Sequence, residues 1–230
     1  MWPADDAALI ARQQELAAAT PELWRPPHGG ALVAGCWVCF PRGLGGRGSA
    51  EDPAWTAAVV MRRGEVVGRQ LRTGLAGAPY VPGLLALRLG RLMEEATGAL
   101  KPAPDVLLVD ATGRDHPRGA GLAVQLGAEL AMPTVGITHR PLLAEGSWPG
   151  DRRGATTPLR IGDEVVACWL RTQPGVRPLV VHPGWRVDLA TAVELVASVS
   201  SAHRTPEPLR RARHAAREAR SVAGRWPVSR

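Results

Sequence analysis

Cysteine is scarce in this chain: Cys36, Cys39 and Cys168 are the three present in 230 residues. A disulfide framework is therefore excluded as the organising device, and a reducing, cytoplasmic setting is the expectation. No apolar run approaches the length of a membrane span, so no membrane partner is expected. The opening MWPADDAALIARQQELAAAT is too acidic and polar for a secretory signal. Lysine is nearly missing, with Lys101 the single one among 28 Lys and Arg. Phenylalanine and tyrosine occur once each, which leaves eight tryptophans to supply most of the aromatic surface. Cys36 and Cys39 form a C-x-x-C, but positions three apart in a strand point to opposite faces. Buried apolar cysteines are the reading, rather than a zinc or redox pair.

What is present suffices for one domain spanning 1–230, since 45% of the residues are hydrophobic. The formal charge is +7, and it is uneven. Residues 203–230 carry eight arginines against Glu207 and Glu218, so this basic C-terminal helix and tail supplies +6 of it. Such a tail suits phosphate contacts, and a solvated helix face is the plainer alternative.

The stretch from Pro104 to Leu142 organises the rest. Val106 to Val109 is an apolar run ending on Asp110, which reads as a buried strand. A loop follows, then Pro117 at an expected first helical position and an Ala/Leu-rich helix to about Leu130. Pro133 opens a second strand, Thr134 to Thr138. Strand, helix, strand is the βαβ unit of a parallel sheet, and the carboxyl ends of such strands hold the site. Those ends carry Asp110 with His116, and His139.

Around this unit, Asp5 to Ala19 has helical spacing, and Ala31 to Phe40 is a central strand. Ala54–Met61 and Glu65–Leu71 form a hairpin. Pro79 and Pro82 stiffen the loop GAPYVPG, and Leu84 to Leu100 is a helix. Residues 144–158 read as a loop, Glu164–Arg171 and Leu179–His182 as strands, and Leu189–Ala202 as a helix. Thr205 and Pro206 open the basic helix, with Leu209, Ala212, Ala216 and Ala219 toward the body. Antiparallel strands first, then parallel βαβ and flanking helices, is the order of an α/β, ribonuclease H-like mixed sheet.

Several motifs, in order, resemble the endonuclease V family, whose members cut nucleic acid near inosine. They are ARQQELA, VAGCWVCF, PYVPG, DATGRDHPRGAGLAVQLG with MPTVGIT, HPGWRVDLATA and RTPEPLRRA. The resemblance implies a wedge at Pro79, Tyr80, Val81, Pro82 and Gly83, with Tyr80 stacking into the gap left by a displaced base. It also implies contacts to base or backbone from Gly113 and Arg118, and to phosphate from Arg210 and Arg211 in the tail.

Cleavage in that family needs clustered carboxylates that hold Mg²⁺ or Mn²⁺. The resemblance places Trp37 and Leu89 where two of them belong and leaves Asp110 as the one metal ligand. His139 stands for a lysine, and Trp185 for a histidine of the late glycine loop. The implied function is a member degenerate as a metal-dependent nuclease, a pseudoenzyme that still binds nucleic acid with a preference for inosine or other deaminated bases.

A second reading reuses the cleft for a small molecule. Trp37 and Trp185 are its walls, Leu89 and His182 line it, and Asp110, His116 and His139 act as acid/base groups or hold a transition metal. For His116 a purely structural role in its loop is the alternative. A third reading is a residual inosine-specific endonuclease, and a scaffold kept only for interaction is a fourth. The sequence specifies no oligomeric state.

Overall fold

The computed structural model describes residues 2–200 and 202–223. Helix α1 (Asp6–Ala18) opens on Asp5, whose carboxylate accepts the N–H of Ala8 as an N-cap. Strands β1 (Val33–Cys39), β2 (Pro53–Arg62) and β3 (Glu65–Leu75) form an antiparallel meander. Helix α2 (Leu85–Gly98) leads to β4 (Val106–Val109), α3 (Leu122–Glu129) and β5 (Thr134–Thr138). Strands β6 (Thr156–Ile161), β7 (Glu164–Leu170) and β8 (Leu179–Pro183) follow, then α4 (Leu189–Ser198) and α5 (Glu207–Ala223). Residues 224–230 of the basic tail lie outside the described residues.

The strands make one sheet in the order β3-β2-β1-β4-β5-β8-β7-β6. Only β1–β4 and β4–β5 are parallel. This is the mixed, ribonuclease H-like sheet that the element order predicts. Alternation within β1 divides the core. Ala34 and Cys36 join Leu9, Met93 and Val109 under α1, α2 and α3. Val33 joins Leu108, Ile137, Leu195 and Leu209 under α4 and α5. Burying each such aliphatic side chain is worth roughly 1.5–3 kcal/mol.

Two local expectations are corrected. Pro117 does not open α3; the helix starts at Leu122, because Gly119 takes a positive φ and Gly121 N–H bonds Gly113 C=O, closing a loop first. The segment expected to be loop to 158 becomes strand from Thr156. Strand β6 is an edge with only Leu159 buried, and an edge tolerates Pro158 without its N–H. Leu209, Ala212 and Ala216 of α5 do face the sheet. Among the described residues, no helix is long and apolar enough to cross a membrane.

Candidate nucleic-acid interface

The loop around Tyr80 is clamped at both ends. At one end, buried Arg88 donates to the carbonyls of Ala78 (2.6 Å) and Ser49 (2.9 Å) and pairs with Asp52 at 2.7 Å. Its guanidinium lies 4.2 Å from the centroid of Phe40. At the other end, three donors converge on the carbonyl of Gly83: Gln13 Nε2 at 2.9 Å, Arg118 Nη2 at 2.8 Å and His116 Nε2 at 3.1 Å. Gly83 itself has φ +77°, a backbone state that favours glycine. Between the clamps Tyr80 remains 43% exposed, so the loop is held while its ring is presented.

Beneath the loop is a cavity of about 190 Å³, lined by Tyr80, Gly83, Asp110–Thr112, His116, Gln125 and Thr138 among others. It is smaller than the roughly 300–1,000 Å³ typical of sites for drug-sized ligands, and suits one planar base. Buried Gln125 donates its amide to the Ala120 carbonyl at 2.8 Å, and its Oε1 has no partner among the described residues. A buried acceptor left unpaired costs on the order of 1–3 kcal/mol, which a ligand donor would recover.

A second polar group adjoins this cavity through Asp110, which lines it. The β1–β4 register ends at Cys36 opposite Val109, so Trp37 and Asp110 follow as neighbours on the α5 side. The Arg213 guanidinium stands 5.2 Å from the centroid of the Trp37 ring. Burial raises the Asp110 carboxyl to a pKa of about 6, against the opposing pull of Arg213. His139 is at the rim of this face, and partial burial with the charges of Arg204 and Arg213 holds its pKa below the usual histidine value.

The structure separates residues that the sequence grouped. Asp110 and His139 share the charge field of Arg213, but His116 is committed elsewhere. Its Nε2 donates to Gly83 and its Nδ1 accepts the Arg118 N–H at 3.3 Å. Burial, followed by Arg118, lowers its pKa to about 4, so it is a neutral clamp with no ring nitrogen free for proton transfer. Arg118 is likewise engaged by Gln13 and Gly83. Gly113 packs against the Pro183 carbonyl, where a Cβ would sit 2.2 Å away, so its role is close packing.

Trp37 and Trp185 do not wall a common cleft. Trp37 packs with Ala57, Ala212 and Ala216. Trp185 packs with Leu16, Ala120 and Val124, and its backbone bonds Thr134 at the start of β5, the far end from His139. Leu89 packs against the core under α2, on the opposite face from Trp37. His182 is fully buried under Thr138, to which its Nε2 lies 2.9 Å away, and burial lowers its pKa to about 4. Arg210 and Arg211 both bind Glu207, at 2.6 and 2.7 Å, beside a larger cavity of about 750 Å³ at the Val33 end of β1. The sequence reading missed Gln13, Arg88, Asp115, Gln125 and Arg213. The one available signal was that Gln13 sits on the buried stripe of α1.

The donor set does not suit Mg²⁺. Among the described residues no three His, Cys, Asp or Glu side chains converge as a metal cage. Asp110 is a single half-buried carboxyl with raised pKa, near an indole and a guanidinium, whereas Mg²⁺ needs charge and room for its waters. The histidine-containing transition-metal site fares no better, because His116 has both nitrogens engaged and His182 is enclosed.

Comparison with known proteins places this geometry among relatives. The Endonuclease V family model matches residues 24–214. The endonuclease V of Streptomyces coelicolor is 36% identical over 214 residues, covering 92% of this chain and 89% of the relative. The crystal structure of the Streptomyces avermitilis endonuclease V superposes with a TM-score of 0.85 at 35% identity, covering 97% of this chain and 96% of that one. That of the Ciona intestinalis endonuclease V, in complex with a 24-mer DNA containing an inosine followed by a ribo-adenosine, has a TM-score of 0.78 at 21% identity and shows the same fold. It covers 94% of this chain and 98% of the Ciona chain.

Proposed function

As the chain belongs to the endonuclease V family, we propose that it binds nucleic acid, takes a displaced purine such as hypoxanthine into the cavity under Tyr80, and does not cut efficiently. The observation that carries this reading is the cavity itself, sized for a base and lined by Gln125, whose buried Oε1 has no partner among the described residues. Hypoxanthine differs from adenine in carrying an N–H at ring position 1, a donor for such an acceptor, whereas adenine offers an acceptor there. The complex formed by the Ciona protein supports the choice of ligand.

Tyr80 fills the gap in the stack, and base–aromatic stacking contributes about 1–3 kcal/mol. His116, Arg118 and Gln13 keep the loop in register through the Gly83 carbonyl. Weak cutting follows from the donor set: a lone carboxylate neither activates water through a metal nor stabilises the leaving oxygen.

The test is anisotropy of labelled single strands carrying inosine or adenosine at one position. Wild type should favour inosine. Tyr80→Ala should weaken both strands by roughly 5- to 150-fold, the range that 1–3 kcal/mol of stacking implies. Gln125→Leu should erase the preference while leaving adenosine binding near its original level. Equal binding of the two strands by wild type would overturn the base reading.

A further inference from the structure

Helix α5 runs along β1 toward Phe40. Its start packs on Gly35, the Ala216 carbonyl accepts from Cys39 Sγ at 3.3 Å, and Arg220 Nη1 donates to the Phe40 carbonyl at 2.9 Å. Arg213, Arg217 and Arg220 are spaced four and three residues apart, so they share one face of the helix. That face is aligned with the end of the sheet where Asp110 and His139 stand.

Among the described residues the stripe has a carboxyl nearby, Asp110, but no ion-pair partner. Among the described residues no carboxylate forms an ion pair with Arg213, Arg217 or Arg42, and Arg213 Nε is buried without a hydrogen-bond partner. Arg210 and Arg211, one turn earlier, are by contrast both paired with Glu207. Desolvation, and after it the like charges of Arg213, Arg220 and Arg42, hold Arg217 below its usual pKa.

We infer that Arg213, Arg217 and Arg220 form the phosphate-binding stripe of this face, and that the Arg213 guanidinium, seated on Trp37 beside Asp110, supplies in place of a metal ion the positive charge that holds a backbone phosphate next to the base cavity. This rests on the nucleic-acid reading above. Trp37 provides a flat support that orients the guanidinium plane, and an arginine so held presents several N–H donors to phosphate oxygens. A metal here would be repelled by that fixed cation. Binding is therefore metal-independent, and the affinity of the stripe is independent of base identity, because phosphate contacts carry no sequence information.

The experiment uses the full chain and a labelled thymidine 12-mer in EDTA, with inosine and adenosine strands in parallel. Wild type should bind the thymidine strand equally well with and without Mg²⁺. Arg213→Ala should weaken all three strands by the same factor and lower the slope of log affinity against log salt by about 0.7, one single-strand phosphate contact. Arg217→Ala/Arg220→Ala, which removes no packing on Trp37, should act in the same direction, and Arg210→Ala/Arg211→Ala should not. A melting curve on each variant separates lost contact from lost fold.

Arginine-dependent binding without any inosine preference would retain the stripe and discard the base reading. An inosine preference in wild type, with thymidine binding indifferent to all three arginines or absent in EDTA, would discard the stripe and retain the base reading.

Discussion

The guanidinium of Arg213 lies over the face of the Trp37 indole, 5.2 Å from the ring centroid. A cation in that position gains about 0.5–2 kcal/mol from the ring's negative face. The indole stands on the strand that neighbours Asp110, so the same contact fixes a positive charge near that carboxyl.

Asp110 then competes with phosphate for Arg213. Asp110→Asn should strengthen binding of a sequence-neutral strand several-fold, since it removes a like charge from the phosphate's surroundings. In a metal-dependent nuclease the same change would cripple cutting. Slow cutting by wild type in Mn²⁺, if seen, should be unchanged in Asp110→Asn. Anisotropy and a gel-based cleavage time course measure both.

Gly35→Ala should be among the most destabilising small changes in the chain. Its Cβ would fall 2.4–2.6 Å from the backbone of Pro208 and Leu209, where no side chain rotation relieves the clash. Overpacking of this kind costs about 1–3 kcal/mol or more. The urea midpoint should fall, and because α5 must shift, so should affinity for the thymidine strand.

Asp115 accepts backbone N–H groups from Leu142, Leu143 and Ala144, at 2.6, 2.8 and 2.9 Å. It thereby pins the segment after β5, whose Leu142 lines the base cavity. Asp115→Ala strands three donors and should cost several kcal/mol, at about 1–3 for each one left buried. Faster amide exchange should appear first at 142–144, together with a weaker inosine preference.

Acid should destabilise the fold through His116 and His182. Both are held at about 4, below the ordinary 6.5, by burial. Arg118, Asp115 and the Gly83 carbonyl act on His116, and Asp115 acts on His182. A lowered histidine contributes stability that is full above pH 6.5 and lost as pH falls toward 4, on the order of 3 kcal/mol each. Asp110, raised to about 6 from 3.8, acts in the opposite sense, with its contribution full below 3.8 and lost as pH rises through 6. Two histidines outweigh one carboxyl, so the urea midpoint should fall from pH 7 to pH 4.5, and less steeply in His182→Gln.

Most of the element order was legible in the sequence because those strands and helices announce themselves locally, whereas the edge strand β6, with only Leu159 buried, does not. Val106–Val109 is apolar without interruption, α2 and α5 carry their apolar stripes at helical spacing, and PYVPG is stiffened by its own prolines. The resemblance likewise implied, from motif order alone, that Trp37 and Leu89 stand where carboxylates were expected. Partnership was not legible. Gln13 and Gly83 are 70 positions apart and Trp37 and Arg213 are 176 apart, and only the crossing of α1 and α5 over the sheet brings them together. Composition alone made the arginines of the tail equivalent. The fold gave Arg210 and Arg211 to Glu207 and left Arg213 facing Trp37, because a helix turns about 100° per residue and only one of its faces meets the strand ends.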